Sequence, residues 1–300
     1  MIPTEIFAES PRGWVPWVWL IPFLGIAFVV VSAIGIEQAL EAQGLLGPQG
    51  DPVGRKGFMA FLLLPFLAMG LAVVAWALLI ERRSLATIGL TEAGAGPKFA
   101  FGLLVGVMTS GAVVAGIWHL GGYAPAGYAP AFADADAMVY IAVLLVCFAV
   151  QSSTEEILFR GWMLSAVARR WNVAGGIAIV SVVFALLHFH RGQPLLVTAN
   201  TALFSVFACS WALRSRHIWG VMGWHAAWNW FIGIGFEIPI TGLDLQAPAL
   251  VAKLVPQGAD YLTGGADGPE GSVVCTAFFA VASALLMARG KAVTPPKAVA

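Results

Sequence analysis

The sequence predicts an all-α fold, a polytopic transmembrane helical bundle of about eight transmembrane helices. Three observations carry that expectation. Of the 300 residues 59% are hydrophobic and only 11% are charged, whereas soluble domains carry about a quarter charged residues. Apolar runs of about 20 residues, the length that crosses a hydrocarbon core of roughly 30 Å, recur along the whole chain. The ionisable residues that fall inside those runs are gathered in the middle third.

Eight apolar segments are expected, at about 14–36, 58–80, 99–120, 138–168, 173–189, 195–213, 217–236 and 271–288. The first follows one basic residue and two glutamates and runs for about 23 residues, longer than the apolar centre of a signal peptide, so it reads as a retained span. The fourth is too long for one simple crossing and contains the polar stretch Gln151-Ser-Ser-Thr-Glu-Glu156, so it is expected to tilt, break or extend beyond the bilayer. Connectors such as Gly47-Pro-Gln-Gly-Asp-Pro52 and Gly121-Gly-Tyr-Ala-Pro-Ala-Gly127 are rich in turn formers and suit the water interface. Three regions follow: N-terminal spans at 1–136, a polar-residue core at 137–236, and at 237–300 a polar loop, a last span and a short tail.

Net charge is zero, which gives no basic surface for nucleic acid. Charge is informative by location instead. Sorted between alternating loops, Arg12, Arg82, Arg83, Lys98, Arg160, Arg169, Arg170, Arg214, Arg216, Arg289, Lys291 and Lys297 fall on one side, about 12 of the 16 basic residues. Arg55, Lys56, Arg191 and Lys253 fall on the other. The positive-inside rule then places both termini in the cytoplasm, for a multi-pass protein of a bacterial-type inner membrane. Trp14, Trp17 and Trp19 sit at a segment end, where amphipathic rings favour the interface. Cys147, Cys209 and Cys275 lie singly in apolar stretches and read as buried packing residues.

An ionisable side chain inside a span is costly, so Glu155, Glu156, Arg160, His188 and His225 each require an account. Glu156 and Arg160 are four apart and share a helix face, where an ion pair relieves the burial of both. Glu155 lies about 100° around the helix and is free to face something else. A carboxylate so placed is a candidate general base; helix-to-helix glue is the plainer alternative. Phe184 and His188 are also four apart. A chain turn near Arg170–Trp171 sets Glu155 and His188 both roughly 25 Å from the bend, and so at equal depth. His225 and Asn229 form a third such pair, with Asn229 roughly 21 Å from the basic loop at Arg214–Arg216. Three helices can thus converge on one polar pocket, although an interhelical hydrogen bond would also explain His225 or Asn229. His119, His190 and His217 read as interfacial, and Asp134 and Asp136 as loop residues without a catalytic part.

Together, Glu155-Glu156-Ile-Leu-Phe-Arg160, Phe184-Ala-Leu-Leu-His188 and His225-Ala-Ala-Trp-Asn229 resemble the signature of the CPBP family, which contains the type II CAAX prenyl endopeptidases and bacteriocin-processing or bacteriocin-immunity membrane proteins. The resemblance covers about residues 140–232, with Arg82 to Leu90 similar to a segment that often precedes the family core. It implies hydrolysis of a peptide bond in a membrane-associated or hydrophobic protein or peptide, CAAX-type substrates included. Glu155 with His188 would activate a water, His225 and Asn229 would stabilise the oxyanion, and Glu156, Arg160 and Phe184 would support them. A zinc ion on His188, His225 and Glu155 and a metal-free glutamate-dependent scheme are equally open at this point, and no organic cofactor is implied. The partners implied are membrane lipids and a protein or peptide substrate, with no nucleic acid. A non-proteolytic scaffold or immunity protein on the same fold is the alternative. A proton-coupled carrier lacks the inverted repeats that would support it.

Overall fold

A computed structural model describes residues 11–90 and 93–288. Helix α1 (Leu20–Ala42) is followed by α2 (Gly54–Ala75), which continues as a π-helical turn over Trp76–Ile80. A 3₁₀ turn at Leu85–Ile88 leads to α3 (Ala95–His119) and strand β1 (Tyr123–Tyr128). Next come α4 (Ala135–Glu156), a π-helical stretch at Ile157–Met163 and α5 (Leu164–Arg170), then α6 (Val173–Leu187), α7 (Leu195–Ser215) and α8 (Trp219–Phe236). Strand β2 (Ala252–Pro256), the short α9 (Asp260–Thr263) and α10 (Val273–Ala288) complete the described chain.

Each of the eight expected apolar segments contains a helix, with shifted bounds. α1 begins at Leu20 rather than near residue 14: Pro22 then falls in the first turn, where no amide hydrogen is needed. The helix also runs on through Glu37 and Glu41 past its apolar stretch. Five helical runs are long and apolar enough to cross a bilayer: Leu20–Ala42, Gly54–Ile80, Ala95–His119, Ala135–Arg170 and Leu195–Ser215. Val173–Leu187 and Val273–Ala288 are shorter apolar helices. The Ala135–Arg170 run of 36 residues is about 54 Å long at 1.5 Å per residue, longer than a bilayer core. It is continuous, and its π-helical stretch begins one residue after Glu156. Asp134 serves it as N-cap, accepting from the amides of Asp136 at 2.9 Å and Ala137 at 3.1 Å.

Large apolar side chains face outward, including Phe23 and Val31 on α1, Leu67 and Leu71 on α2, Phe101, Leu104 and Met108 on α3, and Val139 and Val146 on α4. Polar ones, Glu81, Arg83, Glu155, Glu156, Arg160, Asn200 and His225, are buried. That inversion suits a lipid solvent, since a water-soluble protein rarely leaves apolar surface so extensive uncovered. Two strands depart from the all-helical expectation: β1 pairs antiparallel with β2, joining the loop after α3 to the loop after α8.

α8 carries two of the candidate residues, and its position is set by α3. A Cβ on Gly223 would meet the Phe99 carbonyl oxygen at 2.0 Å, and one on Gly106 would meet that of Trp224 at 2.5 Å. Only glycine permits such backbone contact, the small-residue device of helices packed in lipid.

Candidate active site

The end of α4 presents two consecutive carboxylates. Glu156 is fully buried and its Oε1 accepts from Arg160 Nη1 at 3.1 Å and from His225 Nδ1 at 2.8 Å. The sequence placed the first contact; the second depends on how α8 docks against α4. A carboxylate can only accept, so His225 Nδ1 carries a proton and Nε2 points the other way. There it stands 3.7 Å from Glu155 Oε2, too far for a direct hydrogen bond. Glu155 Oε2 has no hydrogen-bond partner in the protein. Glu155, Glu156, Arg160 and His225 thus form one buried cluster of two acidic and two basic side chains.

His188 follows the last residue of α6, its Nδ1 lying 2.8 Å from the Phe184 carbonyl oxygen. The carbonyl accepts, so Nδ1 donates and Nε2 is left with its lone pair free for other chemistry. Phe184 contacts both His188 and Arg160. Its ring lies 4.2 Å from the His188 ring, and the Arg160 guanidinium stands 4.4 Å from its centroid. Asn229, half-buried one turn beyond His225, donates through Nδ2 to Gln151 Oε1 at 3.3 Å.

Glu155, His188, His225 and Asn229 all line one cavity of about 180 Å³, together with Gln151, Phe184, Asn200, Asp267 and Glu270. The volume suffices for roughly six waters. Phe61, Leu62 and Phe66 from α2 and Phe148 from α4 supply apolar wall. Glu156, Arg160 and Phe184 form the buried support beside it.

Several groups at or near the site were not singled out in the sequence. Asp267 and Glu270 lie in the polar loop before α10 yet line the cavity. His190, expected to be merely interfacial, is exposed but bonds through Nε2 to Asp267 Oδ1 at 3.0 Å, and that bond raises its pKa. Arg83, assigned to a cytoplasmic loop, is instead 2% exposed and pairs with the buried Glu81 at 3.0 Å. Trp162 Nε1 donates to Glu81 at 2.7 Å, and Arg83 Nη2 donates to Ser165 Oγ at 2.5 Å. This pair therefore braces the back of the π-helical stretch, where Gly161 lets the Ile88 carbonyl approach. Its signal was the Glu81-Arg82-Arg83 run, which reads equally well as a solvated loop. Arg289, Lys291 and Lys297 of the charge count lie outside the described residues.

The zinc set expected from His188, His225 and Glu155 can be tested against the donors. Among the described residues no three His, Cys, Asp or Glu side chains are grouped to hold a metal ion. Each histidine commits Nδ1 to a protein acceptor and keeps Nε2 for other partners, an arrangement that metal-ligating imidazoles also show.

Residues 136–231 match the family model described as type II CAAX prenyl endopeptidase Rce1-like. The match runs from the first turn of α4 into α8, and includes Glu155, Glu156, Arg160, Phe184, His188, His225 and Asn229; Glu81, Arg83, Asp267 and Glu270 lie outside it. No curated protein and no solved structure matches the chain. The three motifs and this match agree: residues 136–231 are similar to an Rce1-like domain, which supports the resemblance to the CPBP family.

Proposed function

We propose that this membrane protein is an intramembrane endopeptidase whose catalytic core, residues 137–236, hydrolyses a peptide bond in a membrane-associated or hydrophobic substrate, CAAX-type proteins included. The observation that carries the reading is Glu155, which lines one cavity with His188, His225 and Asn229 and keeps a buried carboxylate oxygen without a hydrogen-bond partner. A water held by Glu155 loses a proton to Glu155 or to Nε2 of His188 as its oxygen attacks the scissile carbonyl. The developing oxyanion accepts from Nε2–H of His225 and from the amide of Asn229. Collapse breaks the C–N bond, and the proton taken from water passes to the leaving amine. Glu156 fixes the imidazole of His225 through Nδ1, and Arg160 balances Glu156.

Cleavage of a hydrophobic peptide library by the purified full chain in detergent tests this. Glu155→Gln and His188→Gln are each expected to lower kcat by about 100-fold or more with the protein still folded. Full activity in either folded variant would overturn the assignment. An effect in cells that survives both substitutions would identify the non-proteolytic scaffold instead. The same cleavage run with a strong chelator tests the metal: persistence favours the glutamate-dependent scheme, and loss that zinc restores would assign a metal to the reaction.

A further inference from the structure

Glu270 sits in the turn Pro269–Gly271 that precedes α10, beyond the stretch that matches the family, yet it lines the same cavity as His188. Its carboxylate is held from three donors. Trp228 Nε1 donates to Oε1 at 2.9 Å; the Thr241 amide and hydroxyl donate to Oε2 at 3.1 and 2.7 Å. Trp228 is the neighbour of Asn229 on α8, so the helix that supplies the amide to one part of the cavity also anchors this carboxylate. The backbone is fixed as well. Asn200 Nδ2 donates to the carbonyls of Glu270 at 2.7 Å and Ser272 at 2.9 Å, while Thr276 Oγ1 holds Asn200 Oδ1 at 2.7 Å. A carboxylate restrained by donors from α8 and from the loop after it, with its backbone tied to α7, is preorganised for a charge it has to meet.

His188 supplies that charge. Its Nδ1 is committed to the Phe184 carbonyl, so a proton taken from water arrives on Nε2 and makes the ring a cation. The surrounding groups leave few counter-charges. Arg160, against the Phe184 ring, is itself positive. Glu155 stands 3.7 Å from His225 and engages the water, and Asp267 is claimed by His190. The α7 wall of the cavity contributes Val197, Asn200, Thr201 and Phe204, none of them charged. Glu270 is the remaining carboxylate, and it and His188 influence each other electrostatically.

We propose that Glu270 is the counter-charge of His188, stabilising across their shared cavity the cation formed when the ring accepts a proton. The proposal rests on the water-activating role given to His188. It extends the working site beyond the matched domain, into the loop before α10. Burial pushes the Glu270 carboxyl upward, while the Thr241 and Trp228 donors and His188 pull it back toward the ionised form.

The test uses the full chain in detergent with Glu270→Gln, which keeps the shape and an acceptor for Trp228 but removes the charge, and with Glu270→Asp, which keeps the charge. Histidine NMR follows the titration of His188, assigned with His188→Gln, and needs no substrate. In Glu270→Gln that titration is expected to move to lower pH, and in Glu270→Asp to return part of the way. An unchanged titration overturns the proposal, whatever happens to cleavage. In parallel, kcat for a cleaved peptide is expected to fall about tenfold or more in Glu270→Gln, with KM and the thermal midpoint retained. Unaltered kcat in Glu270→Gln beside an inactive Glu155→Gln sinks the role of Glu270 and leaves the peptidase reading standing. An active Glu155→Gln sinks the peptidase reading, while the titration still decides whether Glu270 and His188 are coupled. A lowered thermal midpoint with unchanged His188 titration makes Glu270 a structural brace and also overturns the proposal.

Discussion

At the scale of single residues, the decisive contact is the one Glu156 makes with Arg160 and His225 at once. Its pairing with Arg160 is legible in the sequence because helical spacing four apart puts both on one face. Its bond to His225 is not, because 69 residues separate the two and only the docking of α8 on α4 brings them together. The roles therefore separate by partner: Glu156 bonds to Arg160 and His225, whereas Glu155 lines the cavity and keeps one oxygen without a hydrogen-bond partner. Breaking the buried pair from one side leaves an uncompensated charge. Arg160→Met is accordingly expected to destabilise the folded protein by about 3–5 kcal/mol, measured by unfolding in detergent. The double variant Arg160→Met/Glu156→Leu is expected to regain part of that stability and none of the cleavage, since His225 has then lost the acceptor for Nδ1.

The helices and their order were readable from apolar run length; their ends and their interruptions were not. The long fourth segment extends without a break, and the sequence left breaking, tilting and extension open because a polar stretch is compatible with each. The π-helical stretch is stabilised from behind by Glu81 and Arg83, residues that hydropathy alone assigns to a loop. The α3–α8 contact makes a sharper prediction. A leucine at Gly223 has nowhere to go, because backbone of Phe99 and Leu103 occupies the space. Gly223→Leu is expected to cost about 1–3 kcal/mol or more in thermal unfolding and to lower cleavage by moving His225.

The loops that carry His190 and Asp267 respond to pH instead. Because Asp267 raises the pKa of His190 above its ordinary 6.5, the contact contributes in full below that value and is lost as pH rises through the raised one. Hydrogen exchange over 265–271, corrected for intrinsic rate, is expected to show less protection at pH 8 than at pH 6. The difference should disappear in His190→Gln; its persistence there would remove the contact as the cause.

For the whole molecule, the apolar exterior and polar interior place the chain in a bilayer, while its direction rests on the distribution of lysine and arginine. Two residues of that count are withdrawn from solvent in the fold: Arg83 and Arg160 are both buried and ion-paired. The remainder still favours one side, and we propose that both termini face the cytoplasm of a bacterial-type inner membrane. Reporter fusions at the N-terminus and after residue 288 are expected to give the same cytoplasmic signal, and opposite signals would require an odd number of crossings.

Composition by itself determined that the chain lives in a membrane and is helical, because the hydrocarbon core imposes one length and one backbone solution on everything that crosses it. Three short motifs fixed Glu155, His188, His225 and Asn229 as candidates, since helical spacing is a local property. What tertiary structure alone decided is long-range: His225 between two glutamates, Phe184 against Arg160, Glu81 and Arg83 behind the π-helical stretch, and Asp267 and Glu270 brought into the cavity from the loop before α10. Each of those contacts depends on helix docking and loop closure between residues distant in the chain, and no pattern within one segment encodes the distance between two.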